Sequence, residues 1–336
     1  MAPQRRARST GMLLAIGFAA ASGLAARLID QVTIRTEVAL VNVIFTATDR
    51  SGNSVSGLTA SDFVVFEDGK PQKIEYFSDW TKGTEIPLTV ALLIDTSASV
   101  RSKLEYEKVT AAEFFRNVLR KNRDLALIIQ FDSDVNLVQD FTEDIDRLTS
   151  ALDSLRAGNS TALYDAVFLA VDDKLKYETG RKVIVAITDG TDTSSRMSEK
   201  EALETAQRND VLIYGIGVRG EALVSFGVLK RFADDTGGRF FSPEARIEEL
   251  RDAFRAIGED LKGQYSLAYR TTNEKRDGSF RKIELRSKIP GVRIRARKGY
   301  YAPRGDKKSA SAGSSPGQDL FRPVRPVDEE VRVPIP

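Results

Sequence analysis

The sequence predicts an α/β fold: a doubly wound, mostly parallel sheet with helices on both faces, inserted into a small antiparallel β-sandwich formed by the flanking segments. Between residues 87 and 262, apolar runs alternate with amphipathic segments, which is typical of a parallel sheet covered by helices. On either side, residues 31–80 and 263–302 show the pattern of antiparallel strands. Each flank is too short to bury a good core alone, so we expect the two flanks to pair with each other.

The N-terminal flank predicts strands joined by tight turns. Residues 37–47 are mostly apolar and rich in β-branched side chains, as expected of a strand. The next apolar run ends in Asp68-Gly69, a strong signal for a two-residue hairpin turn. Residues 70–77 are therefore predicted to return as the partner strand. Because Pro71 has no N–H to donate, we place the start of this strand at a sheet edge.

The central segment alternates strands and helices. Residues 88–94 form a continuous apolar run, which is typical of a strand buried on both faces. Residues 104–119 carry apolar side chains at helical spacing, with Lys108 as a polar exception. Further strands are predicted at residues 125–131, 136–139, 183–187, 211–216 and 239–242, and further helices at residues 161–175, 199–208, 223–234 and 247–261. In the C-terminal flank, strands are predicted at residues 265–269, 280–286 and 292–297.

The 336-residue chain contains no histidine and no cysteine. These two absences exclude Ser-His-Asp and Cys-His catalysis, zinc sites built on either residue, disulfides and iron–sulfur clusters. Any metal must be held by oxygen ligands, which points to Mg²⁺, Ca²⁺ or Mn²⁺. Lys and Arg number 50 against 48 Asp and Glu, a balance that argues against nucleic acid as a partner.

The N-terminus is typical of an export signal. Arg5, Arg6 and Arg8 precede an apolar stretch rich in small residues at positions 11–26. This stretch is shorter than the about 20 residues that a spanning helix needs, which favours a signal peptide. The alternative is an uncleaved N-terminal anchor. Either interpretation places the rest of the chain outside the cytoplasm, in the periplasm or secreted. The predicted organisation is a signal peptide or anchor at residues 1–26, an N-terminal β segment at 31–80, an α/β domain at 87–262, a C-terminal β segment at 263–302 and a flexible tail at 303–336.

Polar side chains gather where the predicted parallel strands end. In an open parallel sheet, ligands bind beyond the carboxyl ends of the strands. Asp-Thr-Ser-Ala-Ser follows the first strand of the α/β domain, Asn-Ser-Thr precedes a helix, and Thr-Asp-Gly follows a later buried strand. All three loops should open onto the same edge of the sheet. Together they offer five oxygen donors: Asp95, Ser97, Ser99, Thr161 and Asp189.

These three loops resemble the von Willebrand factor A-type domain, in which they form the metal-ion-dependent adhesion site. The resemblance implies a Rossmann-like fold for this part of the chain. It also implies that Ser97, Ser99 and Thr161 supply hydroxyls to a metal ion. Asp95 and Asp189 would bind the ion directly or hold its water ligands.

The flanks add a narrower resemblance. Residues 58–63 with residues 67–72, and the ending at residues 297–301, are similar to exported bacterial proteins that carry this domain. In the predicted metal site itself, the one departure from the family is Asn159-Ser160, where the family often has glycine before the Thr. The flanking resemblance bears on localisation and architecture more than on function.

The chemistry of the ligand set implied by this resemblance supports the same conclusion about function. Mg²⁺ prefers near-octahedral oxygen ligands, although Ca²⁺ and Mn²⁺ are alternatives. Three neutral hydroxyls with nearby carboxylates leave such an ion able to take one more anionic ligand. We therefore expect an exported, non-enzymatic binding or adhesion module that captures an Asp or Glu of a protein partner through the ion.

Three alternatives stay open at this point. The Asp and Ser residues could serve only as helix caps and turns, with Ser99 capping the next helix. The protein could be a structural module of the cell envelope in which a metal stabilises the fold. Less expected is a hydrolase that uses the ion as a Lewis acid. Residues 215–220 fit a dinucleotide-binding pattern, but the expected acidic residue after the next strand is missing, so a tight turn is the better interpretation.

Overall fold

A six-stranded sheet lies at the centre of the computed structural model, which describes residues 40–189, 191–219 and 225–305. The predicted signal peptide and most of the predicted tail lie outside these ranges. The N-terminal flank forms β1 (Leu40–Thr48), β2 (Phe63–Glu67), β3 (Lys70–Gln72) and β4 (Ile74–Asp79). The central segment forms β5 (Leu88–Asp95), α1 (Leu104–Val118), β6 (Leu125–Phe131), β7 (Val135–Thr142), α2 (Ile145–Ser154), α3 (Leu163–Leu169), β8 (Arg181–Thr188), α4 (Glu199–Arg208), β9 (Val211–Gly217), α5 (Gly227–Thr236), β10 (Phe240–Phe241) and α6 (Ile247–Lys262). The C-terminal flank forms β11 (Gln264–Arg270), β12 (Phe280–Ser287), β13 (Arg293–Ala296) and β14 (Gly299–Tyr301).

The central sheet has the strand order β10-β9-β8-β5-β6-β7. All neighbouring strands are parallel except β6 and β7, which pair antiparallel at one edge. The predicted mostly parallel sheet is therefore confirmed. Within the described ranges, none of the helices is long and apolar enough to cross a membrane.

Alternate side chains of the central strands face opposite layers of helices. In β5, Leu92 and Ile94 belong to the core formed with α1, α2 and α6. Ala91 and Leu93 belong to the core formed with α3, α4 and α5. Every residue of β5 is buried, as expected for a strand that is covered on both faces. The predicted doubly wound arrangement is thus confirmed.

The two flanks form a β-sandwich of two four-stranded antiparallel sheets, ordered β13-β1-β11-β4 and β14-β12-β2-β3. Both sheets contain strands from both flanks, which confirms that the flanks pair around the inserted α/β domain. Their inner faces share one apolar core. In that core, the ring of Phe45 lies 5.0 Å from that of Phe63 and 5.4 Å from that of Tyr265, measured between centroids.

One predicted strand is divided between the two sheets. β3 pairs with β2 through the predicted hairpin, and Pro71 lies in an edge strand as predicted. After Lys73, however, the chain crosses to the other sheet, where β4 pairs with β11. The prediction of one continuous strand over residues 70–77 is therefore wrong at this point. Local sequence shows only that both pieces are extended, whereas the core between the sheets decides where each one pairs.

Two helices also differ from the prediction. The predicted helix at residues 161–175 begins at Leu163 and ends its regular part at Leu169. It starts late because the backbone of Thr161 is engaged in the loop, where its carbonyl accepts the N–H of Thr193 at 2.8 Å. The sequence analysis missed α2, although Asp144 is its N-cap and accepts the N–H groups of the first turn.

The α/β domain is attached to the sandwich at the amino ends of its parallel strands. The N–H of Trp80, just before the domain, donates to the carbonyl of Gln264, just after it, at 3.1 Å. Arg181, the first residue of β8, donates from Nη1 to Oε1 of Gln264, the first residue of β11 in the sandwich, at 3.2 Å. Strand β5 has eight residues and spans roughly 23 Å, so its carboxyl end lies far from the sandwich.

Candidate metal centre

The carboxyl ends of β5 and β8 lie at the topological switch point of the central sheet. β5 is the neighbour of both β8 and β6, so the chain builds the sheet outward from β5 in two directions. In sheets of this type, ligands bind in the crevice at such a point. Asp95 is the last residue of β5, and Asp189 directly follows β8. The topology therefore places the two predicted carboxylates on adjacent strand ends.

The Asp95 side chain is completely buried and anchors the loop after β5. Its Oδ1 accepts the N–H of Ser97 at 2.8 Å, and its Oδ2 accepts the hydroxyl of Thr188 at 2.5 Å. Burial raises the pKa of Asp95 to about 6, the hydrogen bonds oppose this effect, and the negative charge of Asp189 adds to it. A carboxylate in this setting is stabilised by any cation that binds nearby.

The two serine hydroxyls connect this loop to Asp189. The Oγ atoms of Ser97 and Ser99 lie 3.1 Å apart, and Ser99 Oγ donates to Asp189 Oδ1 at 2.7 Å. The alternative in which Ser99 caps the following helix is wrong, because α1 begins at Leu104 and its N-cap is Lys103. The hydroxyl of Ser99 faces the other strand end instead.

Thr161 is a buried residue of a loop that is hydrogen-bonded to the loop after β5. Gly158 donates its N–H to the carbonyl of Thr96 at 2.5 Å, and Ala98 donates to the carbonyl of Asn159 at 3.1 Å. Thr161 itself is 5% exposed. The structure thus joins the other four predicted residues by direct hydrogen bonds or shared partners, and brings in Thr161 through the backbone of its loop.

Sequence reasoning missed two charged residues beneath these loops. Lys103 is 7% exposed, and its ammonium forms a short ion pair with Asp189. Glu107, one helical turn further along α1, is 0% exposed, and neither of its carboxylate oxygens has a hydrogen-bond partner. The available signal was periodicity, since Glu107 occupies a position on the face of α1 that also carries Leu104 and Ala111.

Three acidic side chains thus share one poorly solvated region with a single ammonium. Burial raises the pKa of Glu107 well above its usual value, and the negative charges of Asp95 and Asp189 raise it further. The positive charge of Lys103 acts in the opposite direction. The region therefore favours an additional cation.

The donor atoms fit a hard divalent cation. The five predicted residues offer hydroxyl and carboxylate oxygens, which are the ligands that Mg²⁺ and Ca²⁺ prefer. Over residues 40–189, 191–219 and 225–305, no group of three or more acidic side chains is arranged to hold a metal by itself. An ion at this edge would therefore depend on Ser97, Ser99 and Thr161, with Asp95 and Asp189 supplying the charge.

Residues 90–191 match the family model described as the von Willebrand factor type A domain. The chain contains a von Willebrand factor type A domain. This confirms the predicted family, and the matched segment includes all five predicted site residues. That these side chains bind an ion in the domain stays a prediction.

Other proteins resemble parts of this chain. A curated "Uncharacterized protein" of Borreliella burgdorferi is 22% identical over 210 residues, which cover 58% of this chain and 60% of that protein. The von Willebrand factor domain of the pilus tip protein Mfa5 from Porphyromonas gingivalis is 13% identical, with a TM-score of 0.45 over 53% of this chain and 96% of that one. Proximal thread matrix protein 1 of the mussel byssus, with a zinc-occupied metal-ion-dependent adhesion site, is 17% identical, with a TM-score of 0.46 over 55% of this chain and 48% of that one.

Gly215 and Gly217, near the carboxyl end of β9, have a packing role. A Cβ atom on Gly215 would lie 2.5 Å from Leu229 Cγ, and one on Gly217 would lie 2.6 Å from Phe226 Cδ1. Both contacts involve the start of α5 and the residue before it. Glycine is therefore needed at these two positions for the close approach of the helix to β9, which accounts for both residues without a nucleotide.

Proposed function

We propose that this protein is an exported, non-enzymatic binding module that captures an acidic group of a protein partner through a divalent cation, Mg²⁺ in the first instance. The observation that carries the proposal is the hydrogen-bonded set formed by Asp95, Ser97, Ser99 and Asp189 at the switch point of the sheet. These oxygens would hold the ion and leave it with a free position for a carboxylate ligand. Ca²⁺ and Mn²⁺ have the same preference for oxygen and are the alternatives.

The position of the site supports a role in docking. The loops with Asp95 and Asp189 lie at the carboxyl ends of the strands, while Gln264 of the sandwich contacts the amino ends through Arg181. The sandwich therefore leaves the candidate edge uncovered. A large partner could reach an ion there without displacing the flanks.

The surroundings of the site support binding over catalysis. Asp95 and Asp189 are engaged by Thr188, Ser99 and Lys103. Glu107 has no exposed surface, so it cannot reach a substrate as a general base. A hydrolase would need an accessible base beside the ion.

The first test is a thermal melt of the protein in Mg²⁺, Ca²⁺, Mn²⁺ or EDTA. An ion that binds only the native state stabilises it by about 2.7 kcal/mol at one hundred times its Kd. We expect a higher melting temperature with at least one ion and no such shift for Asp95→Ala. Asp153→Ala, an exposed aspartate of α2, is the matched control and should keep the shift. The absence of a shift with every ion would contradict the proposed site.

The second test separates partner capture from a purely structural metal. The protein is passed over surfaces that display peptides with a single Asp or Glu, or the same peptides with Asn or Gln. We expect retention by the acidic peptides in Mg²⁺ and none in EDTA. An ion-dependent melting shift together with equal retention of acidic and amide peptides would favour the structural cell-envelope module instead.

Export is proposed from the N-terminal sequence. Arg5, Arg6 and Arg8 with the apolar stretch at residues 11–26 would direct the chain out of the cytoplasm. Cell fractionation of the full chain and of a variant lacking residues 1–26 tests this. We expect only the full chain outside the cytoplasm, and cytoplasmic retention of both would contradict export.

A further inference from the structure

The side chain of Lys103 lies against one of the two carboxylates that the proposed metal ion would use. Its ammonium pairs with Asp189, and both side chains are buried. Asp189 also accepts the hydroxyl of Ser99, which is one of the proposed ion ligands. An ammonium and a divalent cation next to one carboxylate repel each other, and this repulsion is strong where water is excluded. Binding of an ion is therefore expected to displace the ammonium from Asp189.

Glu107 offers the displaced ammonium a second partner. Residues four apart in a helix are neighbours on one face, and side chains lean toward the helix N-terminus, so Glu107 extends over the turn that contains Lys103. Its carboxylate is fully buried, and neither oxygen has a hydrogen-bond partner. A buried polar group in this condition is costly, and an ammonium that moves to it removes the cost.

We propose that Lys103 is a tethered competitor for the cation site, and that its ammonium moves from Asp189 to Glu107 when a divalent ion binds. This inference rests on the proposed function, since it concerns the same site. Lys103 then lowers the affinity for the ion, because the ion must first displace it. Glu107 raises the affinity, because it stabilises the ammonium in its displaced position.

The experiment measures Mn²⁺ and Mg²⁺ binding to the full chain by isothermal titration calorimetry. We expect Lys103→Met to bind the ion at least about fivefold more tightly than the original protein, the lower end of typical coupling between sites. Lys103→Gln gives a second measurement if the methionine variant folds poorly. Lys108→Met is the matched control, because Lys108 is a buried lysine in the first turns of α1 but pairs with Glu105 at 2.7 Å. It should leave the affinity unchanged.

A double-mutant cycle tests the role of Glu107. Glu107→Gln should weaken ion binding at least about fivefold in the original protein, because the ammonium then has no charged alternative to Asp189. In the Lys103→Met background, the same change should alter the affinity less than about twofold. An equal loss in both backgrounds would mean that Glu107 acts on the ion directly, and the transfer of the ammonium would be refuted.

The outcomes distinguish this inference from the proposed function. If the original protein and Lys103→Met bind the ion equally well, the ion site stands and the competition by Lys103 is wrong. If only Lys103→Met binds, both the site and the competition stand, and the lysine outcompetes the ion in the original protein. If neither protein binds any ion, the proposed site and this inference both fail.

Discussion

Gly158 lies where the loop before Thr161 comes close to the side chain of Asp132. A Cβ atom there would lie 1.9 Å from Asp132 Oδ2 and 2.8 Å from Asp132 Cβ. The N–H of Gly158 also holds the carbonyl of Thr96, in the loop that carries the two serines. The close approach of the two loops therefore depends on the absence of a side chain.

We expect Gly158→Ala to destabilise the fold by about 1–3 kcal/mol, as overpacking does, and to reduce the melting shift produced by Mg²⁺. Denaturant unfolding and thermal melts measure the two effects. Gly227→Ala is the control, because the nearest atom to its Cβ would be Ser225 Oγ at an ordinary 3.4 Å. Adding Asp132→Gly should recover much of the loss, and an unchanged cost in that background would show that the steric explanation is wrong.

At the scale of single residues, the sequence predicted the five oxygen donors of the site but not the two buried charges next to them. Asp95, Ser97 and Ser99 belong to a motif in which each residue has a recognisable type and spacing. Lys103 and Glu107 have no such motif, and charged residues in a helix are usually exposed. Lys103 and Glu107 matter to the site because they are buried near Asp95 and Asp189. The sequence alone does not show this proximity.

Among the elements, the start of β5 is joined to the segment between α1 and β6 by Asp124, a buried carboxylate that pairs with the half-buried Arg120. Asp124, just before β6, accepts the N–H of Leu88 at 2.9 Å and pairs with Arg120 at 2.7 Å. Burial tends to raise the pKa of Asp124, but the hydrogen bonds from Arg120 and Leu88 outweigh it and leave the pKa below the usual 3.8. The stabilisation is therefore present above the unfolded pKa and is lost as the pH falls through the folded pKa.

We expect Asp124→Asn to lower the free energy of unfolding by about 1.5–3 kcal/mol at neutral pH, the value of hydrogen bonds to a charged group. The difference from the original protein should begin to shrink as the pH falls below about 4 and should vanish below the folded pKa, where Asp124 is neutral and both proteins carry an uncharged side chain. Denaturant titrations across this range measure it. Asp252→Asn, in an exposed pair with Arg255, is the control and should cost less than about 1 kcal/mol. If the difference in unfolding free energy between Asp124→Asn and the original protein does not change with pH, the role assigned to the Asp124 carboxylate is wrong.

The elements differ in how far the sequence predicted them. Strands such as β5 were predicted well, because a short and almost fully apolar run is compatible with few structures other than a buried strand. The division between β3 and β4 was not, because both pieces have the same extended pattern. The late start of α3 was also missed, because it depends on hydrogen bonds between Thr161 and a loop more than thirty residues away along the chain.

At the scale of the whole molecule, a buried polar cluster connects the two sheets of the sandwich. Glu67 accepts hydroxyl hydrogen bonds from Tyr269 and Tyr300, both at 2.9 Å, and lies 3.6 Å from Arg281. Tyr269 belongs to one sheet, whereas Glu67, Arg281 and Tyr300 belong to the other. The two flanking motifs that the sequence analysis singled out, at residues 67–72 and 297–301, therefore meet in this cluster.

We expect Glu67→Gln to destabilise the protein by about 3–5 kcal/mol, because it leaves Arg281 buried without its charged partner. Glu284→Gln is the control on the same sheet, in an exposed pair with Arg286, and should change the stability far less. Thermal and denaturant unfolding measure both. A small effect of Glu67→Gln would mean that the carbonyls around Arg281 suffice for its charge.

The same variant tests the independence of the two ends of the molecule. Changes at distant sites without shared partners usually add within about 0.5 kcal/mol. We therefore expect Glu67→Gln to keep the stabilisation by Mg²⁺, and its effect to add to that of Asp95→Ala. A loss of the Mg²⁺ effect in Glu67→Gln would show that the sandwich and the candidate site are coupled.

The sequence by itself determined the α/β class, the paired flanks, the family and the oxygen-only chemistry, because apolar periodicity, turn residues and composition are local properties of a chain. The tertiary structure decided which strand ends are adjacent, where the chain changes sheets, and that Lys103 and Glu107 lie beneath the candidate site. These features depend on strand order and burial, which arise from contacts between residues far apart in the chain. The charge balance of the site is therefore a property of the fold.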